Sequence, residues 1–296
     1  MEMMVEIAKP KETSYEYGKS HQEVMVGYYH ESKIVSPTNN EYLRVRLALD
    51  LVNEHAVPRF GKRKEELTTV DVACSVGIVT LALAKDGFNP IGVDFDPAGL
   101  EIAERLNEEE GTNARFLRMD VSDWDLEMPI DIAVCFDVFE HLHDDELGSM
   151  LTGLKRKLSS QGCVVFHTLP LEYDYLFWQE GKGIIAFPNL LRPFRKWHER
   201  RFTKLVQMYA MCRDLYSLAH SGGKTHKAMI KMEGHCNPLT QPRLEDIFAR
   251  AGYELPFIKS GFLSDVQLDP RDRPYFHSQP VTHRSLYGIA VPKRRS

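Results

Sequence analysis

Long apolar runs and paired cysteines are both missing from this chain of 296 residues. No apolar stretch approaches the ~20 residues that a membrane-spanning helix needs, so we expect no insertion into a membrane. The first residues lack the basic and apolar regions of a secretory signal. The five cysteines are scattered and include no Cys-x-x-Cys pair, which argues against a disulfide framework or a zinc ribbon. We therefore expect a cytoplasmic protein.

A strong net charge is also missing. The chain has 37 Lys and Arg against 42 Asp and Glu, which gives a net charge of −5. The balance is uneven, because residues 192–231 contain ten Lys and Arg but only Glu199 and Asp214 as acids. A basic segment in an acidic chain indicates an anionic substrate or partner, or a solvated helix face. The negative total argues against a nucleic-acid partner.

What the sequence does contain is a regular alternation of short apolar runs and helical patterns. The predicted strands cover residues 67–73, 90–95, 114–119, 130–136, 162–168, 253–258 and 286–291. Such alternation is typical of a parallel sheet with helices on both faces. We therefore predict an α/β fold with a doubly wound, mostly parallel, seven-stranded Rossmann-like sheet.

The regular alternation is flanked and interrupted by other patterns, which divide the chain into four parts. Residues 1–60 form a predicted N-terminal helical lid, with one clear helix over 41–55, whereas 10–35 show no clear period. Residues 61–169 are the core. Residues 170–235 are a helical insertion before the last two strands, with a helix over 194–220, and 236–296 complete the sheet.

In an open parallel sheet, ligands bind beyond the carboxyl ends of the strands. The turn after the first strand, Asp71–Gly77, has small residues at positions 73, 75 and 77, which let the backbone approach a ligand closely. Asp94 ends the second strand, where a carboxylate is placed to accept hydrogen bonds from ribose hydroxyls. Asp120 follows the third strand, in reach of an adenine amino group. Phe136–Leu142 follow the fourth.

These segments resemble those of a known family. Asp71–Gly77 and Gly92–Asp96 are similar to the first two motifs of class I S-adenosylmethionine-dependent methyltransferases. Phe136–Leu142 resemble the Asp-Val-x-Glu-His-Leu segment of the small-molecule branch that includes ubiquinone and menaquinone methyltransferases. Residues 235–240, with the Leu and Ala-Gly-Tyr that follow, are similar to a later segment of that branch. The resemblance covers 67–168 and 233–258.

The resemblance implies that the core binds S-adenosylmethionine as cofactor. The implied cofactor-binding residues are Asp71, Ala73, Cys74, Ser75, Gly77, Asp94, Phe95, Asp120, Val121, Phe136 and Asp137. The chain departs from the family at Ala73 and Ser75, where the motif has glycines. A Cβ atom opposes positive φ angles at these positions, which would weaken cofactor binding or leave the fold for another purpose.

Methyl transfer to a hydroxyl or an amine also needs a proton acceptor, and histidine suits this role near neutral pH. His141, His167 and His235 follow strand ends or return from the insertion, so each is a candidate catalytic residue. Each also has a structural alternative: His141 orients the loop, His167 is a satisfied buried histidine, and His235 caps a helix. Without a third ligand nearby in sequence, we expect no metal site.

The leading hypothesis is a methyltransferase that acts on an O, N or C atom of a small metabolite from a biosynthetic or natural-product pathway. The basic and aromatic insertion indicates an acceptor that is anionic and partly aromatic or lipidic, and a homodimer is possible. Three alternatives stay open at this point. They are an NAD-type oxidoreductase, which lacks its Gly-x-Gly cradle here, a nucleic-acid methyltransferase, and a non-catalytic protein with the methyltransferase fold.

Overall fold

The structure is a computed structural model that describes residues 19–36, 39–121, 124, 126–168, 237, 239, 241–262 and 284–293. The predicted insertion over 170–235, its helix and its basic segment lie outside these residues, and so does His235. Statements about the structure below refer to the described part of the chain.

The described strands form one seven-stranded sheet in the order β3-β2-β1-β4-β5-β7-β6. They are β1 Thr69–Val72, β2 Ile91–Asp94, β3 Arg115–Arg118, β4 Ile130–Phe136, β5 Leu158–Thr168, β6 Tyr253–Phe262 and β7 Arg284–Pro292. The first five pair in parallel, and β7 is antiparallel to both β5 and β6. This topology confirms the predicted fold class and makes β1 and β4 neighbours where the strand order reverses.

Six α-helices accompany the strands in the described residues. They are α1 Lys19–Ser32, α2 Asn40–Leu51, α3 Ile78–Lys85, α4 Pro97–Glu110, α5 Asp144–Lys157 and α6 Gln241–Arg250. Asp96 caps α4 as predicted, because its carboxylate accepts the N–H groups of Ala98 and Gly99 at 3.1 and 3.2 Å. None of the described helices combines the length and apolarity that crossing a membrane requires.

The N-terminal part differs from its prediction at both ends. α1 was not predicted, because Tyr29 is the one buried side chain among residues 23–32 and leaves no apolar period to detect. α2 ends earlier than the predicted helix over 41–55. The chain continues from Leu51 as a π-helical turn, Val52–Ala56, and then as a 3₁₀ turn, Val57–Arg59.

The sheet is buried on both faces, as unbroken apolar strands predict. Alternate residues of β4 belong to different cores. Ala133 and Cys135 lie in the core that contains the apolar residues of α5 and α6. Ile132 and Val134 lie in the core that contains those of α2 and α3. Helices on both faces therefore hold the strand ends in fixed positions.

The close approach of β7 to β6 gives a first test of this packing. A Cβ atom on Gly288 would lie 2.2 Å from the carbonyl oxygen of Phe257. We expect Gly288→Ala to lower the free energy of unfolding by about 2 kcal/mol, since the backbone must shift to admit the methyl group. Urea denaturation measures this change.

Gly148→Ala on α5 is the matched control, because no atom lies within 4 Å of its added Cβ. It should raise the free energy of unfolding by roughly 0.5–1 kcal/mol, the gain of Ala over Gly inside a helix. Equal midpoints for the two variants would contradict the close packing of β6 on β7.

Candidate functional site

The carboxyl ends of the parallel strands meet along one line, and backbone hydrogen bonds join them. The N–H of Cys74 donates to Val93 at 3.0 Å, and the N–H of Met119 donates to Asp94 at 2.8 Å. On the other side of the switch point, the N–H of Asp137 donates to the carbonyl of His167 at 3.0 Å. We call residues 71–77, 94–95, 119–121 and 136–141 the strand-end edge. All the predicted cofactor-binding residues lie on it.

The loop after β1 keeps the backbone of a glycine-rich turn although two of its residues carry a Cβ atom. Its φ angles are 58° at Ala73, 50° at Ser75 and 79° at Gly77. Left-handed φ at a residue other than glycine costs about 1–3 kcal/mol and persists only where the surroundings enforce it. Ala73 and Ser75 therefore keep the left-handed backbone that glycines would adopt at these positions, at the cost of backbone strain.

Two buried carboxylates hold this loop in place. Asp94 accepts the N–H of Ser75 on one oxygen at 2.8 Å and the N–H of Asp96 on the other at 2.9 Å. Asp71 accepts the hydroxyl of Thr80, on α3, at 2.5 Å. Thr80 had no predicted role, and its position on the buried side of an apolar helix was the sole indication in the sequence. The loop is thus tied to both β2 and α3.

Burial dominates the electrostatics at this end of the edge. It raises the pKa of Asp71 to about 7, against the hydrogen bonds from Thr80 and together with the nearby charge of Asp94. Burial also raises the pKa of Asp94, although backbone N–H groups oppose the shift. Neither carboxylate forms an ion pair with a described residue. A cationic ligand at this end would offset part of their burial cost.

The side chains around the two carboxylates differ in exposure. Phe95 is 54% exposed beside Asp94, which is unusual for a large apolar side chain and makes much of its surface accessible to a ligand. Asp120 and Val121 are partly buried. The Cys74 side chain turns inward, since a Cβ at Gly92 would lie 2.8 Å from its sulfur, and burial raises the pKa of the thiol well above its usual range.

The other end of the edge contains a third carboxylate, Asp137, in a different setting. Asp137 has φ 54°, and one of its oxygens lies 2.6 Å from Nδ1 of His167. The other oxygen lies 3.2 Å from Nε of Arg44, on α2. Although burial acts in the opposite direction, Arg44 and His167 hold the pKa of Asp137 well below its usual range.

The three candidate histidines are placed differently. His167 is fully buried, with Nε2 2.8 Å from the hydroxyl of Ser285, and its ring stacks on Phe136 at 5.3 Å. This geometry favours the alternative of a satisfied buried histidine. His141 is partly buried in the 3₁₀ turn Phe139–His141, directly after Asp137 along the edge. His235 lies outside the described residues. The catalytic role of each stays a prediction.

Several polar residues at the edge had no predicted role. Glu140 is buried, accepts the hydroxyl of Thr168 at 2.7 Å and has no hydrogen-bond partner among the described residues on its other oxygen. Burial and the neighbouring Asp137 raise its pKa.

The N–H of Asn237 donates to the carbonyl of Glu140 at 3.0 Å, which brings the later family-like segment to the edge. Arg44 also had no predicted role. The one indication in the sequence was its charge within a helix whose neighbouring Leu43 belongs to the apolar face, and Leu43 is buried in the structure.

Comparison with known proteins shows what this chain is similar to. Residues 69–162 match the family model of a methyltransferase domain. The chain is 23% identical over 198 residues to a ubiquinone biosynthesis O-methyltransferase of Rickettsia conorii, which covers 66% of each protein. It is 27% identical over 199 residues to the protein of that name from Acinetobacter baylyi, covering 66% of this chain and 76% of the relative. A ubiquinone biosynthesis O-methyltransferase of Rickettsia akari is 20% identical, and the match spans 48% of its length.

Solved structures show the same fold. The magnesium protoporphyrin IX methyltransferase of Synechocystis PCC 6803, with bound SAM, gives a TM-score of 0.54 at 12% identity, covering 97% of this chain and 99% of that one. An S-adenosylmethionine-dependent methyltransferase of Clostridium acetobutylicum gives 0.50 at 11% identity, covering 84% and 92%.

Fold, strand-end motifs and domain match together define the class: the chain contains a methyltransferase domain, and its sheet has the Rossmann-like fold of the S-adenosylmethionine-dependent enzymes. Within that class its curated relatives are ubiquinone biosynthesis O-methyltransferases, which act in small-molecule biosynthesis, as the motif after β4 indicated. The resemblance to S-adenosylmethionine-dependent methyltransferases that the sequence indicated is confirmed.

The raised pKa of Asp71 predicts a pH dependence of stability. The folded value of about 7 exceeds the ordinary 3.8, so the folded protein binds this proton more tightly than the unfolded chain. The contribution of Asp71 to stability should therefore fall as pH rises between these values, by up to about 1.4 kcal/mol per pH unit. Asp71→Asn cannot ionise, and it retains an acceptor for Thr80.

Urea denaturation from pH 4.5 to pH 8 measures the effect. The free energy of unfolding of Asp71→Asn, relative to the wild type, should increase steadily up to about pH 7 and then level off. A constant difference across this range would show that Asp71 ionises at an ordinary pKa and is not held in a desolvated site.

Proposed function

We propose that this protein transfers the methyl group of S-adenosylmethionine to an oxygen atom of a small biosynthetic metabolite. The curated relatives are named O-methyltransferases, which favours oxygen over nitrogen or carbon as the acceptor. The basic segment over 192–231 supports an anionic acceptor, and the aromatic residues of the insertion support a partly aromatic or lipidic one.

The observation that carries the proposal is the anchored, strained loop over 73–77 beside Asp94 and Phe95. The carboxylate of Asp94 accepts the backbone N–H groups of Ser75 and Asp96 on different oxygens, and the roughly four acceptor sites of a carboxylate allow it to accept a ribose hydroxyl as well. The exposed ring of Phe95 suits contact with adenine. When bound, the cofactor supplies an electrophilic methyl group on a cationic sulfonium. The buried carboxyl groups of Asp71 and Asp94, which form no ion pair with a described residue, suit a cation, and a cation would favour their ionised forms.

The chain's own work in the reaction is alignment, exclusion of water and removal of a proton. Arg44 and Asp137 define the far end of the edge, and His141 follows directly in the chain. We keep His141 and His235 as the candidates for the residue that takes the proton from an acceptor hydroxyl. His167 lies behind Asp137 and does not face the edge with a free nitrogen.

We further propose that α1 and α2 act as the lid over this edge. α2 is attached to the end of β4 by the ion pair between Arg44 and Asp137. α1 is attached to α4, since the hydroxyl of Tyr29 donates to Glu110 at 2.5 Å and Lys33 pairs with the same carboxylate. The insertion over 170–235 would complete the cover as the substrate cap. The cytoplasmic location and the homodimer stay proposals of the same kind.

Binding of S-adenosylhomocysteine tests the cofactor assignment. We expect the wild type to bind it in isothermal titration calorimetry and Asp94→Asn to weaken binding by roughly 10- to 100-fold, because hydrogen bonds to a charged group contribute about 1.5–3 kcal/mol. Asp96→Asn is the matched control, since it removes the same charge two residues away and retains a good helix cap. It should change the affinity by less than about threefold. No binding by the wild type, or equal effects of the two variants, would contradict the assignment.

The reaction itself is tested with radiolabelled S-adenosylmethionine and a host metabolite extract. We expect the label in a small organic product as a methyl ether that is stable to alkali. Label in nucleic acid, or no transfer together with tight binding of NADH, would replace the proposal by one of the other classes.

A further inference from the structure

The carboxylate of Asp137 is held by two different kinds of contact. Nε of Arg44 lies 3.2 Å from one oxygen but makes no hydrogen bond of good geometry with it. This contact therefore offsets the negative charge of Asp137 without fixing the orientation of its carboxylate. His167 approaches the other oxygen at 2.6 Å, which is a short and directional contact. The orientation of the carboxylate therefore depends on His167.

His167 is in turn held by a residue from a distant part of the chain. The hydroxyl of Ser285, at the start of β7, lies 2.8 Å from Nε2. Both Ser285 and His167 are 0% exposed. The series Ser285, His167, Asp137 crosses three adjacent strands, from β7 through β5 to the end of β4, and only its last member reaches the surface, with 25% of the side chain exposed.

The direction of the hydrogen bonds follows from the chemistry of the groups. An ionised carboxylate only accepts, so Nδ1 of His167 must carry the hydrogen that it donates to Asp137. Arg44 and His167 lower the pKa of Asp137, which keeps this carboxylate ionised. Neither nitrogen of His167 is then free to take a proton from a substrate.

We propose that His167 and Ser285 are positioning residues, which fix the carboxylate of Asp137 at the strand-end edge so that it can bind the amino group of S-adenosylmethionine. The proposal rests on the proposed function, since the family resemblance implies that Asp137 binds the cofactor, and a carboxylate pairs with its cationic amino group. The φ angle of 54° at Asp137 agrees with it, because a strained backbone at a binding residue needs side-chain contacts that hold it.

Calorimetry with S-adenosylhomocysteine, which carries the same amino group, tests the proposal. Ser285→Ala should weaken binding by about threefold to tenfold, and His167→Leu by at least about tenfold, as directional bonds to the carboxylate are lost. His167→Asn should stay within about threefold of the wild type, because its amide nitrogen stands near the position of Nδ1 and still donates.

A matched control exists at the opposite end of β4 and β5. The hydroxyl of Ser159, on β5, donates to Asp131, on β4, at 2.6 Å. Ser159→Ala should lower stability as Ser285→Ala does, yet leave the affinity for S-adenosylhomocysteine unchanged. If both serine variants weaken binding equally, or if Ser285→Ala and His167→Leu bind like the wild type, the positioning role is wrong. If the wild type does not bind, the proposed function fails first.

A measurement on the wild type keeps the proposal testable even if a variant does not fold. In protein with ¹⁵N-labelled histidine, Nδ1 of His167 should carry a hydrogen, and the signal should be assigned by its absence from the His167→Asn spectrum. A ring that is protonated on Nε2 alone would overturn the proposal, because Nδ1 could then donate nothing to Asp137.

Discussion

The rest of the site depends on the two hydrogen bonds that the carboxylate of Asp94 accepts from Ser75 and Asp96. They tie the loop after β1 to the start of α4, and they help to hold left-handed conformations that Ala73 and Ser75 would otherwise leave. The loop is therefore formed before any ligand arrives. Binding to a preformed loop loses little free energy to ordering, which partly repays the strain.

The strand-end edge divides into two halves of different charge balance. Near β1 and β2, Asp71 and Asp94 lie buried without a described cationic partner, and the pKa of both is raised. Near β4, Asp137 has Arg44 and His167 beside it, and its pKa is lowered. The first half has negative charge left for a cationic ligand, whereas in the second half the protein supplies its own cation. A bound cofactor fits this division: its sulfonium suits the first half, and its amino group can share the carboxylate of Asp137 that His167 orients.

Local sequence patterns were enough for most of the fold. Apolar runs located the strands, and Asp96 before Pro97 located the start of α4, because capping involves neighbouring residues. α1 left no pattern, since it buries little more than Tyr29. The strand-end rule and the family resemblance placed Asp71, Asp94 and Asp137 at one edge.

The contacts that those residues make could not be predicted from local sequence patterns, because they join distant parts of the chain. His167 and Ser285 are 118 positions apart, and only the antiparallel return of β7 beside β5 brings them together. Arg44 reaches Asp137 because α2 packs across the sheet. The sequence did indicate that a Cβ atom at Ala73 and Ser75 opposes a positive φ angle. Whether the loop keeps that conformation depended on Asp94, a residue on another strand that accepts the N–H of Ser75.

A crystal structure of the protein with S-adenosylhomocysteine tests the central claim most directly. We predict that the ribose hydroxyls lie within hydrogen-bond distance of Asp94, with adenine against Phe95 and the amino group at Asp137. An adenosyl group bound elsewhere, with the strand-end edge filled by side chains of the protein itself, would contradict the account.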